Sequence, residues 1–416
     1  MIERKWVVAM LKRYLWVLIS LLLIPSFSAC RVEIHSPEMP SLEDEGDVDL
    51  VAQGSEKDTL AGEPIVPKYF DGLYGFVDME GRVAIPAQFT YADLMREGLA
   101  YAEKGEDKFV IDNQGKIVFP IDSYLEFDEN GEIVSPTDRG FRFAFLSSYV
   151  DGIAVLAYGN LYGAFNDIHF QYLDREGKNN FGKVYANASY FSEGLAYVEE
   201  EANGKSGYID KQGNYVIELD ESMNSAGYFH EGRARVNKKA ANGYSSGDGY
   251  INKKGDFVIS PKFRGAYSFS EGIARVNQFP GLFGYLDLDG NWLIEPQYED
   301  ATDFIDGKAV VNGDTVIDKS GNTLAKAPED IYLKGPFSEG LAAARMKEGD
   351  HRLTGYVDED FNWVIPPIYE DDDYTEECNN GLICISTDEW PTDGFIYYFN
   401  RDGKMLAKNP WRPGHF

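Results

Sequence analysis

The sequence predicts an all-β fold: a repeat array of antiparallel three- to four-stranded meanders, closed as a propeller-like toroid, with an open curved β-solenoid as the alternative. Three observations carry this. The phrase Phe191-Ser192-Glu193-Gly194-Leu195-Ala196 returns at Phe229-His230-Glu231-Gly232, Phe269-Ser270-Glu271-Gly272 and Phe337-Ser338-Glu339-Gly340, with looser copies around Glu97-Gly98, Asp151-Gly152 and Asp306-Gly307. A fixed phrase at intervals of 33 to 42 residues over most of the array marks one supersecondary unit copied many times. Finally, the 27 Tyr and 26 Phe favour strands over helices.

The first 29 residues stand apart. Arg4, Lys5, Lys12 and Arg13 precede the apolar run Leu15 to Ile24, which is short for a membrane span, and Ser26-Phe27-Ser28-Ala29-Cys30 closes the segment. Small residues before a lone cysteine resemble a bacterial lipoprotein signal peptide, which implies cleavage before Cys30 and its lipidation. Two or more acyl chains would suffice for stable anchoring. Residues 30–62 are rich in Glu, Asp, Ser, Gly and Pro, have no apolar period, and are expected to form an acidic disordered tether.

The array is expected over 63–408, in about eight units with a hairpin fragment at 394–406 and a tail at 409–416. A second phrase alternates with the first. Gly75-Phe76-Val77-Asp78 with Gly81 and Pro86 recurs as Gly207-Tyr208-Ile209-Asp210, Gly249-Tyr250-Ile251-Asn252, Gly284-Tyr285-Leu286-Asp287 and Gly355-Tyr356-Val357-Asp358. Aromatic and β-branched residues make one strand, Asp-x-x-Gly makes a turn, and a β-branched run ended by Pro makes the next. The Asp is expected to accept backbone N–H groups inside the turn, and the Gly to close it in the left-handed region. Glu-Gly-Leu-Ala begins another strand, its Glu reading as a cap on nearby N–H groups and its Ala as a close-packed position. The segment Ile65-Val66-Pro67-Lys68-Tyr69 matches the post-hairpin stretch Ile365-Pro366-Pro367-Ile368-Tyr369, so the two ends are expected to meet.

These phrases resemble the WG repeat family of bacterial β-rich arrays. The family tryptophan is absent at every copy: Tyr74, Ser206, Asp248, Phe283 and Thr354 stand in its place. The resemblance implies a repeat architecture on exported or surface proteins and supplies no catalytic residues.

A net charge of −30 argues against nucleic acid as a partner. No Cys/His spacing suggests zinc, and no cofactor or metal is expected. Cys378 and Cys384 flank Asn379-Asn380-Gly381 and could form a disulfide across a turn. The run Glu370, Asp371, Asp372 and Asp373 is a candidate cation-binding loop, with a solvated acidic loop as the plainer reading. The scattered histidines His169, His230 and His351 occupy unrelated repeat positions. The recurring Glu carboxylates are equivalent to one another, whereas a glycosidase needs two carboxylates in different environments. Tyr74, Tyr162, Phe283, Trp292, Trp363 and Trp390 could stack on a glycan or peptide, against a default of core packing. The expected function is a non-catalytic binding or scaffold module on a lipid anchor at the extracytoplasmic side of the cell membrane, its partner a protein, peptide or cell-wall glycan. The alternative is a cell-wall-directed hydrolase or lyase. Residues 121–149 and 370–393 interrupt the repeat and are where specificity is expected.

Overall fold

One kind of hairpin recurs along the chain, and a single side chain sets it. In nine turns an Asp or Asn Oδ1 accepts the backbone N–H groups two and four residues on, at 2.8–3.1 Å. The turn residue before the second strand is Gly in eight of them, with φ between 75° and 86°; in the ninth it is Phe361, at φ 64°. Desolvation raises these carboxyls, but the turn bonds, with the Arg82 side chain on Asp78 and the Asn214, Asn291, Asn322 and Asn362 side chains on the others, hold Asp78, Asp210, Asp287, Asp318 and Asp358 below their ordinary range.

The computed structural model describes residues 65–410 except 122–142, 148, 160–167, 201–203, 221, 240–244, 279, 347–352, 371–373, 376–379 and 388–393. Eight antiparallel sheets stand as blades in a ring, a β-propeller, with no helix among the described residues. A typical blade is the second: Tyr91–Ala92, Leu99–Lys104, Asp107–Asp112 and Ile117–Pro120, paired in that order. One sheet has seven strands and carries two repeat units, joined where Phe170 pairs with Tyr185. Nine meanders therefore fill eight sheets.

The boundaries differ from those read off the sequence. A blade starts at the strand before Glu-Gly, so the hairpin at Phe395–Asn400 and Met405–Pro410 is no fragment; it completes a sheet begun by Tyr374–Thr375 and Leu382–Thr387. At the other end, Val66–Phe70 pairs with Leu73–Val77. It thus takes the Glu-Gly-Leu-Ala strand's place rather than the post-hairpin place its sequence resembles.

The core lies between blades as well as within them. Tyr74, Phe76, Ile85 and Phe89 of the first sheet pack on Ala92, Ala100, Ala102, Phe109 and Ile111 of the second. The phrase alanines Ala154, Ala234, Ala274, Ala309 and Ala342 are fully buried. The second-phrase tyrosines bolt each sheet to the chain that follows. Tyr172, Tyr208, Tyr250 and Tyr285 donate to the carbonyls of Ser189, Gly227, Tyr267 and Thr302, at 2.7, 2.6, 2.5 and 2.8 Å.

The glycine before that tyrosine has a different reason. At Gly75, Gly207, Gly249, Gly284 and Gly355 the fourth strand of the blade crosses so closely that a β-carbon would lie 2.1–2.6 Å from the carbonyl oxygen of Ile85, Ile217, Ile259, Ile294 or Ile365. At Gly75, Gly249, Gly284 and Gly355 that crossing falls at an irregularity in the pairing of the two strands, for instance between Phe283 and Tyr285.

The ends of the chain meet without a shared ladder. Asn409, buried, donates through Nδ2 to Pro67 O at 2.8 Å and accepts from Tyr69 N through Oδ1 at 2.9 Å. One side-chain amide thus replaces a pair of strand bonds. Val66 and Val77 pack there on Tyr398, Leu406 and Ala407. Lys404 Nζ reaches Glu80 O at 2.7 Å across the same seam.

Candidate functional site

The recurring glutamates are consumed by the ring. In each Glu-Gly turn both residues have positive φ, the Glu between 48° and 55°. Such a two-residue turn normally carries Asn or Gly. The strained Glu is held from outside: its carboxylate accepts backbone N–H groups from the equivalent turn one unit on. Glu193 takes Gly232 N at 3.0 Å, Glu231 takes Gly272 N at 2.7 Å, and Glu271 takes Gly307 N at 3.0 Å. Glu339 takes Asn380 N and Gly381 N at 2.8 and 2.9 Å. A cation from the neighbouring hairpin turn closes several of these latches. Lys253 and Lys319 each donate to the same Glu's carbonyl, at 3.0 Å, and pair with its carboxylate at 3.0 and 3.1 Å. Desolvation raises the Glu193 carboxyl, but Lys253 and the Gly232 N–H outweigh it and hold it below its ordinary range. A carboxylate so engaged is a poor general acid.

Polar departures from the repeat gather in the fifth to eighth units. Asp248, just before the second-phrase Gly249, is buried. It accepts from Asn237 Nδ2 at 2.6 Å and Ala266 N at 3.0 Å, and lies 3.5 Å from Arg235 Nη1. Arg275 lies 3.7 Å over the Tyr267 ring, donates to Ala301 O, and meets Asp303 at 3.0 Å. Tyr332 donates to Asp300 at 3.0 Å beneath Arg345. These groups brace one another from unit to unit. Asn277 Oδ1 is buried there without a hydrogen-bond donor.

A second polar pocket of chemistry lies in the second blade. Tyr91 OH donates to Asp93 at 2.6 Å, and Tyr101 OH donates to buried Glu103 at 2.5 Å. Burial pushes the Asp93 carboxyl up to about 6; the Tyr91 bond opposes this and the Glu103 charge adds to it. The folded state therefore binds more protons than the unfolded chain between the ordinary value of 3.8 and about 6, and stability falls as pH rises through that window. Asp93→Asn is expected to raise the thermal midpoint at pH 7 and leave it unchanged below pH 4; melts of both proteins at the two pH values check this.

The sequence-predicted site residues fare differently. Cys30, Cys378, Asp371, Asp372, Asp373, Tyr162, His351 and Trp390 lie outside the described residues. Cys384 is half-buried opposite Tyr398, and Glu370 ends the Trp363–Glu370 strand. Among the described residues no group of three His, Cys, Asp or Glu could hold a metal, and no helix is long and apolar enough to cross a membrane. Of the candidate stacking residues, Tyr74 and Phe283 are core, while Trp292 packs edge-on against Phe263 and Trp363 packs on a core cluster. The inter-unit latch escaped sequence reasoning. Its signal was the recurrence of an acidic residue, most often Glu, beside Gly, which a surface turn does not need.

Comparison with known proteins agrees with this architecture. Five segments, 74–108, 207–240, 249–278, 283–312 and 355–388, match the family described as WG containing repeat. No curated protein sequence matches the chain. Among solved structures, a eukaryotic initiation factor superposes with a TM-score of 0.54 at 10% identity, covering 84% of this chain and 96% of that one. The β-propeller domain of the Trilobed protease from Pyrococcus furiosus gives 0.35 at 10% identity over 64% and 84%, and BamB from Moraxella catarrhalis gives 0.35 at 10% over 82% and 93%. At 10% identity the likeness to the initiation factor is one of fold alone.

Proposed function

We propose that the chain is a membrane-anchored extracytoplasmic lipoprotein whose propeller is a non-catalytic binding or scaffold module. The observation that carries the second half is where the recurrent chemistry goes. The repeated Glu, Asp and Tyr groups are engaged with backbone of their own or a neighbouring unit, so they serve the ring and leave recognition to residues that interrupt the repeat. The first half rests on the basic n-region, the Leu15–Ile24 run and Ser28-Ala29-Cys30. The acidic stretch 31–62 then gives the ring reach from the membrane surface. The partner is a protein, a peptide or a wall glycan.

Two measurements test this. Growth with a labelled fatty acid is expected to label the protein, and Cys30→Ala to abolish the label; persistence of label in the variant refutes the anchor. Immobilised chain is expected to retain a defined partner or wall fraction saturably and unchanged. Turnover of that fraction, lost on substituting Asp93 or Glu103, would replace the scaffold with a hydrolase.

A further inference from the structure

The chain's charge is distributed against its total. Net charge is −30, yet between Arg233 and Arg275 nine Lys and Arg face only three Asp and Glu. Part of this excess is structural: Lys253 latches Glu193. The rest gathers at one edge. The register sets Lys238 opposite Gly247, Asp248 opposite Phe263 and Gly265 opposite Asn277. Lys239, Lys262 and Arg264 therefore share the end of the fifth and sixth units opposite the Asp-x-x-Gly turns. All three are exposed, and none has a carboxylate within ion-pair distance among the described residues. Arg235 lies deeper, its side chain 30% exposed. The Asp220 carboxyl is the negative group that feels Lys238.

The opposite charge is concentrated elsewhere in the same chain. Residues 31–64 hold ten Asp and Glu against Arg31 and Lys57, five of them in Glu43-Asp44-Glu45 with Asp47 and Asp49. From Glu43 to Ile65 the chain can span at most about 80 Å, and a folded body of this length has a radius of gyration of about 20 Å. Near full extension the acidic run can thus reach across the ring. Any free anion must compete with it.

We propose that the patch of Lys239, Lys262 and Arg264 is the docking surface for the chain's own acidic segment Glu43–Asp49. Docked, the segment screens the patch and shortens the tether. A stronger polyanion displaces it and frees the reach of the ring. The inference holds whether or not Cys30 carries lipid.

Zero-length carbodiimide cross-linking of the full chain, followed by peptide mass spectrometry, tests it. Cross-links are expected between carboxylates of 43–49 and Lys239 or Lys262 at low salt, falling about tenfold near 1 M salt, where the screening length is about 3 Å. Lys262→Glu with Arg264→Glu is expected to abolish the Lys239 cross-links with an unchanged thermal midpoint. Should the variant fold poorly, the salt series on the unaltered chain decides. Cross-links that join isotopically heavy and light copies would assign the patch to a second molecule and overturn docking in cis. Absent cross-links, or cross-links to lysines all around the ring, would overturn it outright.

Discussion

Gly355→Ala is expected to destabilise the ring by about 3 kcal/mol, the upper end for an overpacked interior, because the clash cannot relax through a side chain. The added carbon would sit 2.2 Å from Ile365 O and 2.8 Å from Pro366 O, all backbone. Either the fourth strand lifts from the blade or the pairing slips. Gly272→Ala is the control. Its φ is 83°, so alanine is strained there, but nothing lies within 4 Å of the new carbon and the cost is about 1 kcal/mol. Thermal midpoints of the two variants separate close approach from backbone strain. Equal midpoints would mean that the crossing of the fourth strand is not what demands glycine.

The second large effect is at the seam. Asn409→Ala removes two of the hydrogen bonds across the seam and takes that partner from the buried Pro67 O and the partly buried Tyr69 N. At about 1–3 kcal/mol for each stranded group, the ring is expected to lose about 2–5 kcal/mol. The loss should be local before it is global. Hydrogen exchange of residues 66–70 and 405–410 should accelerate while the sheets at 245–298 keep their protection. Asn409→Asp should be at least as damaging, because a carboxylate would face the Pro67 carbonyl where an N–H now donates. Unchanged exchange at 66–70 in either variant would show that apolar packing of Val66, Val77 and Leu406 closes the ring alone.

Much of this was legible in the sequence, and for physical reasons. Asp-x-x-Gly turns are local: Asp287 meets Asp289 N and Asn291 N within five residues, so spacing reveals them. The close-packed alanines announced themselves by recurring beside β-branched residues. The interactions that escaped link residues far apart in the chain. Glu193 bonds Gly232 and Asn409 bonds Pro67, and no single repeat shows its partner. The glycine that opens the second phrase had no reason visible in the sequence. Only the path of the strand over it gives the reason. The unit count shifted because repetition fixes a period but not where the sheet is cut. The polar brace of Arg235, Asp248, Arg275 and Asp303 was visible as loss of consensus at Asp248, but its pairing depended on neighbouring units.

The central claim is that these repeats form a closed ring whose ends meet at Asn409. Pulsed electron paramagnetic resonance between spin labels at Glu80 and Asp402, both exposed, tests it most directly. Closure brings Lys404 Nζ within 2.7 Å of Glu80 O and predicts a single short distance, broadened or lengthened by Asn409→Ala. An open array of nine meanders stacked at about 10 Å would hold the labels about 80 Å apart, and that distance would contradict the account.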